Sequence, residues 1–210
     1  DTFDSSRYQL SDETTSPDAI LLRSYNLHDA AIADSTQVIV RAGAGTNNIP
    51  LDKMAELGIP VLNTPGANAN AVKELVITGL LLACRNICAA WDYVQKLKDS
   101  PDLHADVEKH KKQFAGFELP GKTLGVIGLG NIGVKVANAA CHLEMKVIGY
   151  DPAMTVQNAW ELNANVQKAE QLEDVFQADF ISIHVPLIDA TKHLINARAL
   201  KKMKANTVIL

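Results

Sequence analysis

The sequence has few cysteines, only Cys84, Cys88 and Cys141 in 210 residues. Cys84 and Cys88 are four residues apart, and the sequence has no CxxC pair and no HxxxH pair, so the spacing of a zinc site is missing. An odd number of cysteines without a disulfide framework is typical of a reducing compartment. We therefore interpret all three as small buried apolar side chains and predict neither a disulfide nor a metal site.

An excess of basic charge and a long apolar run are also missing. The formal net charge is −4 and the pI is about 5.9, which argues against a general nucleic-acid surface. The longest uncharged apolar segment, residues 75–84, is too short to cross a bilayer, and residues 1–18 are too polar for a signal peptide. The sequence thus predicts a cytoplasmic protein with no nucleic-acid and no membrane partner.

The remaining pattern is an alternation of short apolar runs with amphipathic segments, which is typical of parallel α/β sheets. Strands are predicted at residues 19–22, 38–40, 59–62, 123–127, 146–150, 165–166 and 178–184, with another from 206 onward. Helices are predicted at residues 51–57, 69–98, 132–140, 172–176 and 197–203, with one more reaching 160–162. Residues 99–120 are predicted to cross the surface between two domains.

The most informative motif is a glycine cluster, Gly128-Leu129-Gly130-Asn131-Ile132-Gly133, between a predicted strand and a predicted helix. Gly128 permits a tight turn, Gly130 lets a pyrophosphate approach the backbone, and Gly133 lets the helix pack close to the strand. The first turn of that helix presents free N–H groups and a positive dipole end to phosphates. The motif therefore predicts a dinucleotide-binding βαβ unit, with an ordinary glycine turn as the alternative.

Asp151 follows Gly133 by 18 residues, at the end of the next predicted strand. A carboxylate there can accept hydrogen bonds from the hydroxyl groups of an adenosine ribose. A 2′-phosphate on the same ribose would meet a like charge. The sequence thus predicts NAD as the cofactor, in preference to NADP.

Five blocks in order make the chain resemble the D-isomer-specific 2-hydroxyacid dehydrogenases over essentially its whole length. They are residues 41–49, 58–66, the helix opened by 72–75, 121–133, and 183–187 with 191–196. The resemblance implies an α/β protein with a Rossmann NAD-binding domain and a smaller flavodoxin-like substrate domain. We assign residues 1–94 to the substrate domain and 95–210 to the NAD-binding domain, both incomplete, with the active site in the cleft between them.

The cofactor-binding residues predicted from the motif and the resemblance follow the ends of predicted strands. They are Gly128, Gly130, Asn131, Ile132, Gly133, Tyr150, Asp151, Pro152, His184, Val185, Pro186 and Thr191, together with Ala44. The resemblance gives His184 a place near the nicotinamide ribose and no proton to carry. A hydrogen-bonded histidine at a strand end is the favoured alternative for His184, and His193 is expected at the surface.

The predicted substrate-binding residues are Arg23, Ser24, Arg41, Gly43, Ala44 and Gly45. Guanidinium groups hold phosphates well, and the amides of a glycine-rich loop can hold a carboxylate. The alternative is that either arginine pairs with a carboxylate at the surface. Within the family these residues most resemble the branch that oxidises D-3-phosphoglycerate, which implies a phosphorylated 2-hydroxy acid as substrate and the first step of L-serine biosynthesis.

Two alternative functions stay open at this stage: reduction of another 2-oxo acid such as glyoxylate or hydroxypyruvate, and NAD sensing by a corepressor-like binding protein. The resemblance also implies that the catalytic arginine, glutamate and histidine lie beyond Leu210 and that a first strand lies before residue 1. We therefore expect no turnover from these 210 residues alone. The apolar helix 69–98 predicts a homodimer or homotetramer.

Overall fold

The computed structural model describes residues 3–210 and divides into two compact units, Asp1–Ala67 and Asn68–Leu210. Residues 3–18 form turns and bends with no helix or strand, as predicted from their polar composition. Each unit is built around its own parallel sheet. A parallel α/β fold is therefore present in both.

The first unit contains a three-stranded parallel sheet in the order β1-β2-β3. The strands are β1 (Ala19–Leu22), β2 (Val38–Arg41) and β3 (Val61–Asn63), and α1 (Leu51–Glu56) joins the last two. Its core consists of apolar side chains from these elements and their loops, namely Leu22, Leu27, Ile39, Ile49, Met54 and Ile59. The unit therefore brings the carboxyl ends of its three strands to one edge.

The second unit contains five parallel strands in the order β6-β5-β4-β7-β8. They are β4 (Thr123–Ile127), β5 (Lys146–Tyr150), β6 (Gln167–Lys168), β7 (Phe180–Ile183) and β8 (Val208–Ile209). The order reverses between β4 and β7, and open α/β sheets bind ligands beyond the strand ends at such a reversal. This confirms the predicted Rossmann fold class.

Seven helices accompany this sheet in the described part of the second unit. They are α2 (Ala69–Arg85), α3 (Ile87–Lys96), α4 (Leu103–His110), α5 (Asn131–His142), α6 (Val156–Glu161), α7 (Leu172–Val175) and α8 (Ala197–Lys202), with a 3₁₀ turn at Lys111–Phe114. The central helix α5 buries Val134, Val136, Ala137 and Ala140 in the same core as Leu80 of α2. Small residues along α5 permit this close packing.

The central strand β4 has the buried apolar sequence that a parallel sheet requires. Leu124 and Val126 point into the core formed with α5, whereas Ile127 packs on the other side with Ile181 and Val175. Alternate side chains therefore face opposite layers of the fold. The short strand predicted at residues 165–166 begins two residues later, at Gln167, because its ladder to β5 pairs Gln167 with Ile148.

The prediction of one continuous helix at residues 69–98 is wrong. The helix breaks at Asn86, whose φ of 53° is left-handed, and the axes of α2 and α3 meet at a bend of 63°. The side-chain amide of Asn86 donates to the carbonyl oxygens of Phe114 and Ala115. These long-range bonds compensate for the interrupted helix.

The compact units also divide the chain earlier than the predicted boundary after residue 94. The division follows Ala67, because α2 packs against α5 of the Rossmann unit. Residues 99–120 are largely exposed, as predicted, but they include α4 and the 3₁₀ turn. The functional boundary between a substrate domain and an NAD-binding domain stays a prediction.

The cysteines are only partly where the sequence predicted them. Cys84 is buried and Cys141 is half-buried, but Cys88 is exposed because α3 begins after the bend and turns it outward. Within residues 3–210 no group of His, Cys, Asp or Glu side chains is arranged to hold a metal ion. In the same range no single helix is long and apolar enough to cross a membrane, although the bent pair α2–α3 reaches that length and composition together.

Candidate dinucleotide site and anion loop

The turn after β4 can be made only with glycine at its first position. Gly128 has a φ of +90°, and its N–H donates to the carbonyl oxygen of Tyr150 at 2.9 Å. A Cβ on Gly128 would lie 2.8 Å from Cγ1 of Val185 and 2.9 Å from the carbonyl carbon of His184. The chain reverses here at the switch point between β4 and β7.

The other two glycines of the motif have different surroundings. A Cβ on Gly133 would overlap the carbonyl oxygen of Gly128, so the helix and the turn are in direct backbone contact. A Cβ on Gly130 would meet nothing within 4 Å. Gly130 precedes α5, and the N–H groups of Asn131 and Ile132 donate no hydrogen bond within the described residues. The helix start is therefore open to an anion, which fits a pyrophosphate.

The carboxylate of Asp151 is held by two backbone amides. Oδ2 accepts a hydrogen bond from the N–H of Leu129 at 2.8 Å, and Oδ1 accepts one from the N–H of Ala153 at 2.9 Å. The sequence did not reveal the bond to Leu129, which joins the aspartate directly to the glycine turn. Asp151 lines a cavity of about 400 Å³ together with Tyr150 and Pro152. A ribose hydroxyl at this carboxylate fits the space.

His184 follows β7, and its backbone lies beside the glycine turn. Its N–H donates to the carbonyl oxygen of Ile127 at 2.7 Å. Its Nε2 lies 2.8 Å from Oγ of Ser182, which is fully buried. Burial lowers the pKa of His184 below its usual value, so the neutral ring is favoured at neutral pH. Ser182 was missed in the sequence because a serine within a strand carries no motif.

The segment after His184 is a loop closed by one hydroxyl group. Oγ1 of Thr191 donates to the carbonyl oxygen of Pro186 and accepts from the N–H of Ile188. His193 is exposed, as expected, and adopts a left-handed φ of 57°. The structure therefore brings His184, Val185 and the glycine turn together, while the roles of Pro186 and Thr191 toward a cofactor stay predictions.

The two predicted substrate arginines lie at the carboxyl ends of neighbouring strands in the first unit. Arg41 ends β2 opposite Leu22, and Arg23 follows Leu22 directly. Neither arginine forms an ion pair within residues 3–210. The alternative of a local carboxylate partner therefore has no support in the described part of the chain.

Asn48 connects the segments that carry these two arginines. The sequence suggested it only as a residue that helps α1 to start, but α1 has no side-chain cap. Its Oδ1 accepts from Nε of Arg41 at 3.0 Å. Its Nδ2 donates to the carbonyl oxygens of Tyr25 and Arg23 at 2.6 and 3.3 Å. Asn48 thus fixes one edge of the Arg41 guanidinium, and the two terminal nitrogens of that group make no hydrogen bond within residues 3–210.

The loop after β2 combines bonded carbonyl groups with amides of two kinds. The N–H of Gly43, which was predicted to hold the substrate, instead donates to the carbonyl oxygen of Arg41 at 2.9 Å. The carbonyl oxygen of Gly43 accepts from the N–H of Thr64 at 3.0 Å, and that of Ala44 accepts from Nδ2 of Asn63 at 2.7 Å. The N–H groups of Ala44 and Gly45 donate no hydrogen bond within the part of the chain that is described. A Cβ on Gly43 would overlap the Arg41 guanidinium. Amides beside a guanidinium make a chemically suitable anion site.

Comparison with known proteins identifies the family. The model of the D-isomer specific 2-hydroxyacid dehydrogenase NAD binding domain matches residues 77–210. Hydroxypyruvate reductase of Thermotoga maritima is 42% identical over 198 residues, which are 92% of this chain and 59% of that protein. D-3-phosphoglycerate dehydrogenase of Methanocaldococcus jannaschii is 39% identical over 179 residues, 85% of this chain and 32% of that protein.

A solved structure agrees with these relatives. NAD⁺-bound 3-phosphoglycerate dehydrogenase of Entamoeba histolytica is 31% identical and superposes with a TM-score of 0.66, covering 89% of this chain and 52% of that one. The chain thus spans between a third and three fifths of the length of these proteins. The chain belongs to the D-isomer specific 2-hydroxyacid dehydrogenase family and carries its NAD-binding domain.

Proposed function

We propose that this chain is part of an NAD-dependent dehydrogenase that oxidises D-3-phosphoglycerate to 3-phosphohydroxypyruvate, the first step of L-serine biosynthesis. When bound, NAD⁺ accepts a hydride from C2 of the substrate. The observation that carries the proposal is a pair of arginines at adjacent strand ends, Arg23 and Arg41, that have no carboxylate partner within residues 3–210. They lie in one loop cluster with the amides of Ala44 and Gly45, which donate no hydrogen bond to the described residues.

The substrate has two anionic groups, and this cluster contains two kinds of anion-binding group. A guanidinium presents parallel N–H donors that match phosphate oxygens, whereas converging backbone amides match a carboxylate. We assign the phosphate to Arg23 and Arg41 and the carboxylate to the amides of Ala44 and Gly45. Ser24 is assigned to the phosphate through its hydroxyl group.

Reduction of hydroxypyruvate is the second candidate, and one observation favours it. The Thermotoga maritima relative that is named hydroxypyruvate reductase is 42% identical to this chain, against 39% for the Methanocaldococcus jannaschii phosphoglycerate dehydrogenase. Hydroxypyruvate has no phosphate, so it would leave Arg23 without a ligand. The two candidates therefore differ in one measurable quantity, the contribution of the phosphate to binding.

Calorimetric titration of the chain at saturating NADH tests this difference. D-3-phosphoglycerate and D-glycerate are used as ligands, because neither can be reduced by NADH and binding is read without turnover. We expect D-3-phosphoglycerate to bind at least tenfold more tightly, from about 1.5–3 kcal/mol for hydrogen bonds to a charged group. Equal dissociation constants would favour the hydroxypyruvate candidate.

Replacing Asp151 by alanine is expected to weaken NADH binding by about 10- to 100-fold, because hydrogen bonds to a carboxylate contribute about 1.5–3 kcal/mol. Fluorescence titration with NADH measures the change. Asp92→Ala is the matched control, since Asp92 is an exposed carboxylate on α3 that pairs with Lys96. Equal NADH affinity in the Asp151 variant and the parent chain would contradict the ribose assignment.

We propose a second copy of the chain as partner, bound through α3. Ile87, Trp91 and Val94 follow each other at helical spacing and expose 48%, 65% and 43% of their surface. The ring of Tyr93, on another side of α3, packs on Phe114. An exposed apolar stripe opposite a packed face is typical of a symmetric interface.

Trp91→Asp is expected to convert a dimer to a monomer in analytical ultracentrifugation, because burying an unpaired carboxylate in an apolar interface is unfavourable. Trp160→Asp is the matched control, since Trp160 is 83% exposed on α6, away from the α3 stripe. A monomeric parent chain, or a dimer that persists in the Trp91 variant, would contradict the proposal.

A further inference from the structure

The cavity beside Asp151 is lined by one basic side chain, and that side chain forms an ion pair with a carboxylate. Lys168, at the end of β6, is the only lysine or arginine among the residues that line this cavity of about 400 Å³. Its Nζ lies 3.2 and 3.1 Å from Oε1 and Oε2 of Glu170, which lines the same cavity. The cavity therefore contains two carboxylates and one ammonium group.

We propose that Glu170, by pairing with Lys168, is a second determinant of the preference for NAD over NADP. The inference rests on the proposed ribose site at Asp151. A 2′-phosphate attached to that ribose would add up to two negative charges beside Asp151. Because Glu170 pairs with Lys168, the described residues that line the cavity include no unpaired cation to compensate for that charge.

Hydrogen bonds hold the side chain of Asp151 and the backbone of Glu170. Asp151 accepts hydrogen bonds from the amides of Leu129 and Ala153, so turning away from an incoming phosphate would break two bonds. The N–H of Glu170 donates to Oδ2 of Asp174, the carboxylate that caps the start of α7. Glu170 therefore stays just after β6, next to Lys168, and Asp151 lies just after the neighbouring strand β5.

Two observations limit how much Glu170 can contribute to the preference for NAD. The side chains of Lys168 and Glu170 are 78% and 76% exposed, so water and salt screen their charges. Asp151 is half-buried, and in the proposed site it accepts hydrogen bonds directly from the ribose. We therefore expect Glu170 to contribute a severalfold effect on cofactor choice, smaller than that of Asp151.

Fluorescence titration of Glu170→Gln with NADH and NADPH tests the inference. Releasing Lys168 should lower the dissociation constant for NADPH by about three- to fivefold, with NADH unchanged within twofold. The gain should disappear in the double variant Lys168→Gln with Glu170→Gln, and it should shrink at high salt because the new contact is ionic. Unfolding midpoints of both variants verify that the fold is retained.

Glu173→Gln is the matched control, because Glu173 forms a similar exposed pair with Lys202 at 3.1 Å and does not line the cavity. It should change neither dissociation constant. An unchanged NADPH-to-NADH ratio in Glu170→Gln, or an equal shift in the control, overturns this inference alone. Failure of the parent chain to bind NADH would instead overturn the dinucleotide site on which it rests.

Discussion

Gly130→Ala is expected to weaken NADH binding by about 100-fold without destabilising the chain. The added methyl group meets no protein atom within 4 Å, and the φ of −74° at Gly130 suits alanine. Alanine at a compatible position stabilises a protein by about 0.4–1 kcal/mol through the unfolded state. The methyl group instead enters the space before α5, where the pyrophosphate would contact the backbone.

Gly133→Ala provides the contrast, because its methyl group would overlap the carbonyl oxygen of Gly128. Backbone atoms cannot turn aside as a side chain can, so α5 must shift from the glycine turn. We expect this variant to lose about 1–3 kcal/mol of stability, as overpacked sites do, and to lose NADH binding as well. Gly130→Ala would then affect only NADH binding, whereas Gly133→Ala would affect both the stability of the fold and NADH binding.

Denaturant unfolding and NADH titration of the two variants measure this contrast. Retained NADH affinity in Gly130→Ala would show that no phosphate approaches the backbone there. Equal stability losses in both variants would contradict the distinct surroundings of the two glycines. Either result would require a different position for the pyrophosphate.

Arg23→Ala is expected to weaken binding of D-3-phosphoglycerate by about 10- to 100-fold and that of D-glycerate by less than threefold. Charge-assisted hydrogen bonds from a guanidinium to a phosphate are stronger than neutral ones and contribute about 1.5–3 kcal/mol. Arg23 is exposed and forms no ion pair within residues 3–210, so its removal leaves no buried charge behind in that range. The measurement is calorimetry at saturating NADH.

Arg198→Ala is the control for this experiment, since Arg198 is an exposed arginine on α8. It removes the same charge and should leave both dissociation constants unchanged. Equal losses for the two ligands in Arg23→Ala would remove the phosphate role of Arg23. A loss for D-glycerate alone would move Arg23 to the carboxylate.

Local sequence patterns predicted most of the Rossmann unit, because its determinants are short-range. The apolar run of β4, the glycine turn and the small residues of α5 are contiguous, and each has a mechanical reason visible in the sequence. The family resemblance implied a Rossmann domain, and the order of the five strands in the structure agrees with that fold class. The positions of Gly128 and Gly133 then agreed with the steric roles expected for them.

Features that depend on distant partners could not be predicted from the sequence. The apolar stripe of residues 69–98 continues through Asn86, and the break depends on carbonyl groups at Phe114 and Ala115, 28 and 29 residues away. Asn48 likewise bonds to Arg23 and Tyr25 across 25 and 23 residues. Lys168 and Glu170 are close in sequence, but only the fold shows that they share a cavity with Asp151.

The hydrogen bond between Leu129 and Asp151 has a consequence for the affinity of a bound dinucleotide. Because this bond joins the carboxylate proposed for the ribose to the turn proposed for the pyrophosphate, the spacing of the two groups is fixed by the protein. A preorganised receptor freezes little additional backbone on association, so more of the contact energy remains as affinity. We then expect the adenosine and pyrophosphate groups of the cofactor to bind together to one rigid surface of the protein, without successive rearrangements of that surface.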